Sequence, residues 1–242
     1  MHRPLVAGNW KMNGDKKNIA TLVAGLLSLK CKADVVVFPP YVYILQVLTG
    51  LSGTAVAVGA QNISEYKSGA YTGEISSEML RDIGCQYCLV GHSERRSLYG
   101  ENDRQVAKKF HQAQLAGLKP ILCLGETLKQ REKGKTFDLI SAQIDTVLDC
   151  AGVNSLSDAI IAYEPVWAIG TGKPATIDQI QLVHQYIREK LGASGVKTRI
   201  LYGGSVTPAN TAELLFQADI DGVLVGGASL DIDTFNEMCQ LA

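Results

Sequence analysis

Short apolar runs without polar alternation recur at similar intervals along the chain. Runs of this kind, rich in Val, Ile and Leu, are typical of strands that are covered on both faces, as in a parallel sheet. They lie at residues 5–7, 35–38, 55–58, 87–90, 121–124, 160–163, 200–202 and 223–225. The pattern therefore predicts eight buried strands.

Segments with helical periodicity separate these runs. Thr176 opens one such segment and Gly192 closes it, as an N-cap and a C-terminal glycine do. Thr207 followed by Pro208 is another typical helix start. After Asp15, apolar residues fall three and four positions apart, at Ile19, Leu22, Val23, Leu26 and Leu27. These segments are predicted to be amphipathic helices that cover the strands.

Eight strand and helix units in 242 residues predict one α/β domain over residues 1–242. The predicted architecture is a (β/α)8 barrel of eight parallel strands with outer helices, because an open two-sided sheet rarely needs eight similar repeats. In such a barrel, functional groups follow the carboxyl ends of the strands. The residues after each apolar run are therefore the candidates for function.

Glu164 leads directly from the sixth run into a segment with the composition of a hinged lid. Pro165 prevents a helix and fixes the exit of the chain behind the carboxylate. A glycine-containing tip between stiffer ends is typical of a loop that moves as a unit. The predicted lid comprises Pro165, Val166, Trp167, Ala168, Ile169, Gly170, Thr171, Gly172 and Lys173. Taken alone, the segment also fits a surface connection that carries a solvated glutamate.

Two further strand ends carry chargeable or polar side chains. Asn9 and Lys11 follow the first run, and His92 and Glu94 follow the fourth. Arg95 stands where a nucleophile elbow requires its second glycine, so serine hydrolysis is excluded. His92 is predicted to act as an acid, a base or a hydrogen-bond donor, with a structural histidine as the alternative. For Lys11, the alternative is a solvated surface lysine.

Paired glycines end the last two runs. Gly203 and Gly204 precede Ser205, and Gly226 and Gly227 follow the eighth run. Such pairs leave backbone N–H groups uncovered, and barrels often bind phosphate after strands seven and eight. These two strand ends are predicted to form a phosphate cradle.

Composition excludes several other functions. The net charge of −1 leaves no basic field for nucleic acid or for an anionic membrane surface. The first residues lack the apolar core of a signal peptide, so a cytoplasmic protein is expected. The six cysteines are expected to stay reduced, with Cys85 and Cys88 in the core.

No cofactor is expected. No cluster of His, Cys, Asp or Glu has metal-binding spacing, and the dinucleotide-binding fingerprint is absent. Trp167 and Pro174 occupy positions that a Walker loop reserves for Gly and for Ser or Thr, which excludes a nucleoside triphosphate. His2, His111 and His184 are expected at the surface, without a role.

Four stretches together closely resemble the triosephosphate isomerase family. They are NWKMNG at 9–14, GHSERR at 91–96, AYEPVWAIGTG at 162–172 and YGGSV at 202–206. The resemblance covers essentially the whole chain. It implies a TIM barrel that interconverts dihydroxyacetone phosphate and D-glyceraldehyde 3-phosphate through an enediolate, in glycolysis and gluconeogenesis.

The resemblance also implies a catalytic role for each candidate. Glu164 would remove and return the proton, and a neutral His92 would polarise the carbonyl, as is established for this family. Lys11 would offset the developing negative charge, while Asn9 and Glu94 orient the site.

The same resemblance implies which groups bind substrate and partner. The phosphate would be bound by Asn9, Lys11, Gly170, Ser205, Gly226 and Gly227, and an apolar clamp over the base would be formed by Ile169 and Leu224. The loop of residues 61–74 is long for a strand–helix connection and resembles the family's dimer loop. Thr72 at its tip would contact a second subunit and Met12 would receive the partner's loop, which implies a homodimer.

Two alternatives stay open. Another phosphate-binding barrel, such as a sugar-phosphate aldolase with a Schiff-base lysine, would need a lysine on an inner strand. A catalytically silent barrel kept for binding would be expected to have lost Lys11, His92 or Glu164.

Overall fold

Eight parallel strands pair in chain order and close into a barrel, so the predicted fold class is confirmed. The structure is a computed structural model that describes residues 2–169 and 175–242. The first and last strands close the barrel through the pairs Leu5↔Gly222 to Gly8↔Val225. The strands are β1 Leu5–Asn9, β2 Asp34–Phe38, β3 Ala57–Ala60, β4 Tyr87–Val90, β5 Lys119–Leu124, β6 Ile160–Tyr163, β7 Arg199–Tyr202 and β8 Gly222–Val225.

Helices surround the barrel. They are α1 Lys16–Leu27, α2 Ile44–Gly50, α3 Ser77–Asp82, α4 Ser93–Tyr99, α5 Asp103–Leu115, α6 Leu128–Glu132, α7 Thr136–Ala151, α8 Ile177–Leu191, α9 Pro208–Leu215 and α10 Ile232–Leu241. The predicted N-cap Thr176 accepts from Gln179 N, and Asp15, which precedes α1, accepts from Asn18 N. In the part of the chain that the structure describes, no helix is both long enough and apolar enough to span a membrane.

The third strand lies two residues later than predicted, at Ala57–Ala60 rather than 55–58. Its position follows from its neighbours, since Ala57 pairs with Val36 of β2 and Ala60 pairs with Cys88 of β4. Gly59, which interrupts the apolar run, is required here because a Cβ at this position would lie 2.4 Å from Cε1 of Phe38.

The core has two layers. Side chains from the eight strands fill the interior of the barrel. A larger layer of apolar side chains lies between the strands and the helices. Cys85 and Cys88 are buried, as predicted. Because the interior is filled, a ligand can enter only at an end of the barrel.

His184 was predicted at the surface, and this prediction is wrong. The residue lies on α8 and is fully buried, with its Nδ1 3.1 Å from Asp219 O. Its position in the apolar stripe of the helix, next to Val183 and Ile187, explains the burial. His2 and His111 are only partly buried.

Candidate active site

A cavity of about 300 Å³ opens at the carboxyl end of the strands. Most of the predicted catalytic and binding residues line it, although they come from strand ends far apart in the sequence. The structure thus brings together Asn9, Lys11, His92, Glu164, Ile169, Ser205, Leu224, Gly226 and Gly227. Gly170, Thr171, Gly172 and Lys173 of the predicted lid lie outside the described residues.

Glu164 is buried at the end of β6 and is held from two sides. Its backbone N–H donates to Leu124 O at 2.8 Å, which continues the barrel ladder past the last strand residue. Its side-chain Oε2 accepts from the N–H of Ser93, also at 2.8 Å. That N–H belongs to the first turn of α4, where the helix dipole favours a negative charge. The carboxylate therefore has a fixed place, and within residues 2–169 and 175–242 no lysine or arginine forms an ion pair with it.

His92 is the N-cap of α4, and its hydrogen bond defines its tautomer. Nδ1 accepts from the backbone N–H of Glu94 at 3.2 Å, so Nδ1 carries no proton. Nε2 then bears the proton of a neutral imidazole. Nε2 lies 3.0 Å from Glu164 Oε1, although the N–H is not aligned with that oxygen. The imidazole N–H and the carboxylate are thus adjacent, and both can contact one substrate molecule.

Lys11 projects into the cavity from a strained turn. Its φ of 52° lies in the left-handed region, which is uncommon for a residue other than glycine. The turn is held because Lys11 N donates to Asn9 Oδ1 at 3.0 Å and Lys11 O accepts from Gln61 at 2.8 Å. Its Nζ lies 2.6 Å from Glu94 Oε1, which orients the ammonium group. A cation is therefore fixed at the same rim as the base.

The first part of the predicted lid is a short turn at Val166–Ala168. The Trp167 indole donates to Glu126 Oε1 at 3.0 Å, and Val166 N donates to Glu126 O at 3.1 Å. Ser205 Oγ donates to Ala168 O at 3.0 Å. Behind this turn, Ile169 and Leu224 both line the cavity, where they were predicted to form an apolar clamp.

Glu126 is a residue that sequence reasoning missed. It is fully buried, and its Oε1 accepts from Tyr163, Trp167 and Arg131 at 3.0 to 3.1 Å. Burial raises the pKa of Tyr163, so its hydroxyl stays protonated and donates. A glutamate just after β5 was a possible signal, but a sequence does not show that such a carboxylate is enclosed.

The predicted phosphate cradle is open to the cavity. Gly227 starts the short turn Gly227–Leu230, and a Cβ added to it would have no neighbour within 4 Å. A Cβ on Gly226 would lie 3.2 Å from Lys11 Cε, so the ammonium stem approaches this turn closely. Uncovered backbone N–H groups beside a lysine form a site that suits an anion.

Beneath the base lies the Cys123 thiol. Burial and the neighbouring Glu164 carboxylate raise the pKa of Cys123 well above its usual value. The thiol therefore stays protonated and does not compete with Glu164 as a base or nucleophile.

Met12 and Thr72, the predicted interface residues, lie outside the cavity. Thr72 is exposed, and Met12 is 93% exposed beside a second cavity of about 320 Å³. Lys11, His92 and Glu94 also line this second cavity.

Comparison with known proteins gives one consistent result. A family model described as triosephosphate isomerase matches residues 4–242. A triosephosphate isomerase of Methylococcus capsulatus is 54% identical, covering 99% of this chain and 98% of the relative. Those of Thiobacillus denitrificans and Pseudomonas fluorescens are 52% and 51% identical, each covering 100% of this chain and 99% of the relative.

Proposed function

Because the chain belongs to the triosephosphate isomerase family, we propose that the groups around its main cavity interconvert dihydroxyacetone phosphate and D-glyceraldehyde 3-phosphate. The reaction moves one proton between adjacent carbons and a second between their two oxygens. It therefore needs a base, a proton donor and groups that stabilise the enediolate, which is the intermediate between the two triose phosphates.

Glu164 is the base in this proposal. It removes a proton from the carbon beside the carbonyl and returns it to the neighbouring carbon. Its support is the buried carboxylate at the end of β6, which accepts from the Ser93 N–H and, among the described residues, is paired with no lysine or arginine. A base fixed in this way reacts without reorganising solvent.

His92 is the proton donor. The neutral imidazole donates its Nε2 proton to the carbonyl oxygen. The same nitrogen then takes a proton from the hydroxyl on the neighbouring carbon, so that one proton has moved between the two oxygens. The hydrogen bond from Glu94 N to Nδ1 supports this role, since it leaves the N–H on the nitrogen that faces Glu164.

Lys11 stabilises the negative charge that develops on the oxygens and the charge of the phosphate. Glu94 orients its ammonium group and Asn9 supports the turn that carries it. The N–H groups of Ser205, Gly226 and Gly227, with Gly170 from the lid, bind the phosphate. Closure of the lid, to which Ile169 belongs, excludes water and so protects the enediolate.

The observation that carries this assignment is the 3.0 Å separation of His92 Nε2 and Glu164 Oε1 in a cavity that also contains Lys11. A coupled dehydrogenase assay in each direction, with chelator and no added metal or cofactor, tests it. Turnover of both triose phosphates is expected. Lack of turnover with a folded protein would refute the proposal.

The aldolase alternative is not favoured. Among the strands, a lysine occurs at Lys119, which begins β5 at the opposite end of the barrel and is exposed. A Schiff-base lysine would have to lie on an inner strand and face the cavity, whereas Lys11 follows the end of β1 and its ammonium group is paired with Glu94. Borohydride trapping with dihydroxyacetone phosphate should accordingly leave no covalent adduct on the protein.

We further infer that the enzyme acts in glycolysis and gluconeogenesis and resides in the cytoplasm. All six cysteines are unpaired, including the exposed Cys150, which suits a reducing compartment. Fractionation of the source cells, with the activity followed by the same assay, tests the location.

A homodimer is the second part of the proposal. Residues 66–74 of the predicted interface loop are exposed, and Tyr66 and Tyr71 stack with ring centroids 3.9 Å apart. The loop is thus ordered by its own contacts, while the cavity beside Met12 has room for the loop of a second copy. A partner's loop there would support Lys11 and His92 from behind.

Shortening the chain between Ser64 and Gly73 tests the dimer. The variant is expected to be a monomer whose activity is lower by on the order of 10²-fold, because the rim of Lys11 loses its support. Sedimentation and kinetics are measured at the same protein concentration. A fully active monomer would show that each rim is sufficient by itself.

A further inference from the structure

His184 is a fully buried histidine that the reaction described above does not use. Its Nδ1 lies 3.1 Å from Asp219 O. A carbonyl oxygen only accepts, so Nδ1 carries the proton, which is the opposite tautomer to that of His92. Nε2 has no hydrogen-bond partner within the described part of the chain. The imidazole is therefore anchored at one end only.

The anchor itself is rigid. Asp219 O also accepts from Arg188 Nη2 at 3.1 Å. The same guanidinium binds Asp219 Oδ1 at 2.7 Å and Asp221 Oδ2 at 2.6 Å. Three charged groups thus fix the carbonyl to which His184 is bound, so the imidazole ring has little freedom to move.

The His184 ring also contacts Tyr163. The two rings meet edge to face, with centroids 5.9 Å apart and planes at 81°. On its other side, the Tyr163 hydroxyl donates to Glu126 Oε1, the oxygen that also accepts from Trp167. Tyr163 is therefore held between an anchored imidazole and the carboxylate that binds the first turn of the lid.

We propose that His184 is a positioning residue, whose ring fixes Tyr163 and thereby the adjacent Glu164 and the Trp167 end of the lid. This inference rests on the proposed function of Glu164 as the base. The proposed role depends on the ring contact with Tyr163 and not on the hydrogen bond to Asp219 O, because only the ring contacts Tyr163. A residue that merely fills the core would affect stability without affecting turnover.

Two substitutions separate these contributions. His184→Asn keeps an N–H donor near Asp219 O but loses the ring, whereas His184→Phe keeps a ring and leaves Asp219 O bound to Arg188. For the Asn variant we expect kcat to fall by on the order of ten-fold, less than the 10²-fold cost of a full 1 Å misplacement, with KM within about two-fold. The Phe variant should recover most of that loss. His111→Asn, the same change at a partly buried histidine outside this group, serves as the matched control.

Trp167 fluorescence gives a second measurement that does not depend on turnover. In a Trp10→Phe background the remaining indole reports on its bond to Glu126. Its emission should shift in the Asn variant and return towards the parent in the Phe variant. Circular dichroism and thermal unfolding verify that each protein is folded, and His184→Gln replaces the Asn variant if that protein does not fold.

The outcomes are distinct. Unchanged kcat and emission in the folded Asn variant would overturn the inference and make His184 a core residue only. Equal losses in the Asn and Phe variants would also overturn it, since the ring would then not be the acting part. A parent enzyme without isomerase activity would instead refute the proposed function, and the fluorescence comparison would still test the contact.

Discussion

Replacing Gly203 by alanine is expected to slow turnover while leaving substrate binding nearly unchanged. Gly203 follows β7, and its N–H donates to Tyr163 O at 2.8 Å. Its φ lies outside the left-handed region, so alanine is compatible with the backbone. The effect of the substitution therefore comes from the added methyl group.

The methyl group would lie 2.9 Å from Glu164 Cγ and 3.3 Å from Tyr163 O. Carbon atoms prefer separations of about 3.5–4.0 Å, so the base must move by roughly 0.6–1 Å. A displacement of that size costs up to about 10²-fold in rate. Because the Glu164 side chain can yield, the loss of stability should stay near the lower end of the roughly 1–3 kcal/mol typical of overpacking.

The coupled assay should show kcat lower by about 10- to 100-fold and KM within about three-fold. Gly227→Ala is the matched contrast. Its methyl group meets no atom within 4 Å in the protein, but it points at the phosphate cradle, so KM should rise with a smaller effect on kcat. A folded Gly203→Ala enzyme with unchanged kcat would refute the reasoning that the position of Glu164 limits the rate.

Two further predictions concern charge. Lys11→Ala should lower kcat/KM by about 10²- to 10³-fold, with a lower kcat and a higher KM, because the ammonium faces the phosphate and the developing oxyanion. Unchanged kinetics would show that Lys11 is a solvated surface lysine. Burial lowers the pKa of His184 from 6.5 to about 4 beside Arg188 and Asp219, so between these values the unfolded chain binds the extra proton. The resulting stability is complete above pH 6.5 and is lost as pH falls towards 4, by about 3 kcal/mol. Denaturant unfolding should show this pH dependence in the parent but not in His184→Asn, and equal slopes would contradict it.

The strand pattern was predictable because buried parallel strands have no polar alternation. The exception, β3, shows what the pattern lacks. Residues 55–58 look more strand-like than Ala57–Ala60, yet pairing with β2 and β4 selects the latter, and Gly59 is needed beside Phe38. Pairing partners lie about twenty or more residues away, so a local apolar run does not contain this information.

The site was predictable to the extent that its residues follow strand ends. The sequence placed Lys11, His92 and Glu164 on one rim, and they line one cavity. It did not indicate Glu126 or the burial of His184, because each depends on contacts between distant elements. A polar residue looks the same in a sequence whether it is solvated or enclosed by three donors.

Glu164→Asp tests the central claim, that this carboxylate is the base, most directly. Because Asp is shorter than Glu by one methylene, the carboxylate lies farther from the substrate carbon that loses the proton. The charge and the fold are kept. We predict that kcat falls by roughly 10²- to 10⁴-fold with KM little changed, whereas the same change at Glu213, an exposed residue of α9, has no effect. Full kcat in the Glu164→Asp enzyme, with its sequence verified by mass spectrometry, would remove Glu164 from the mechanism.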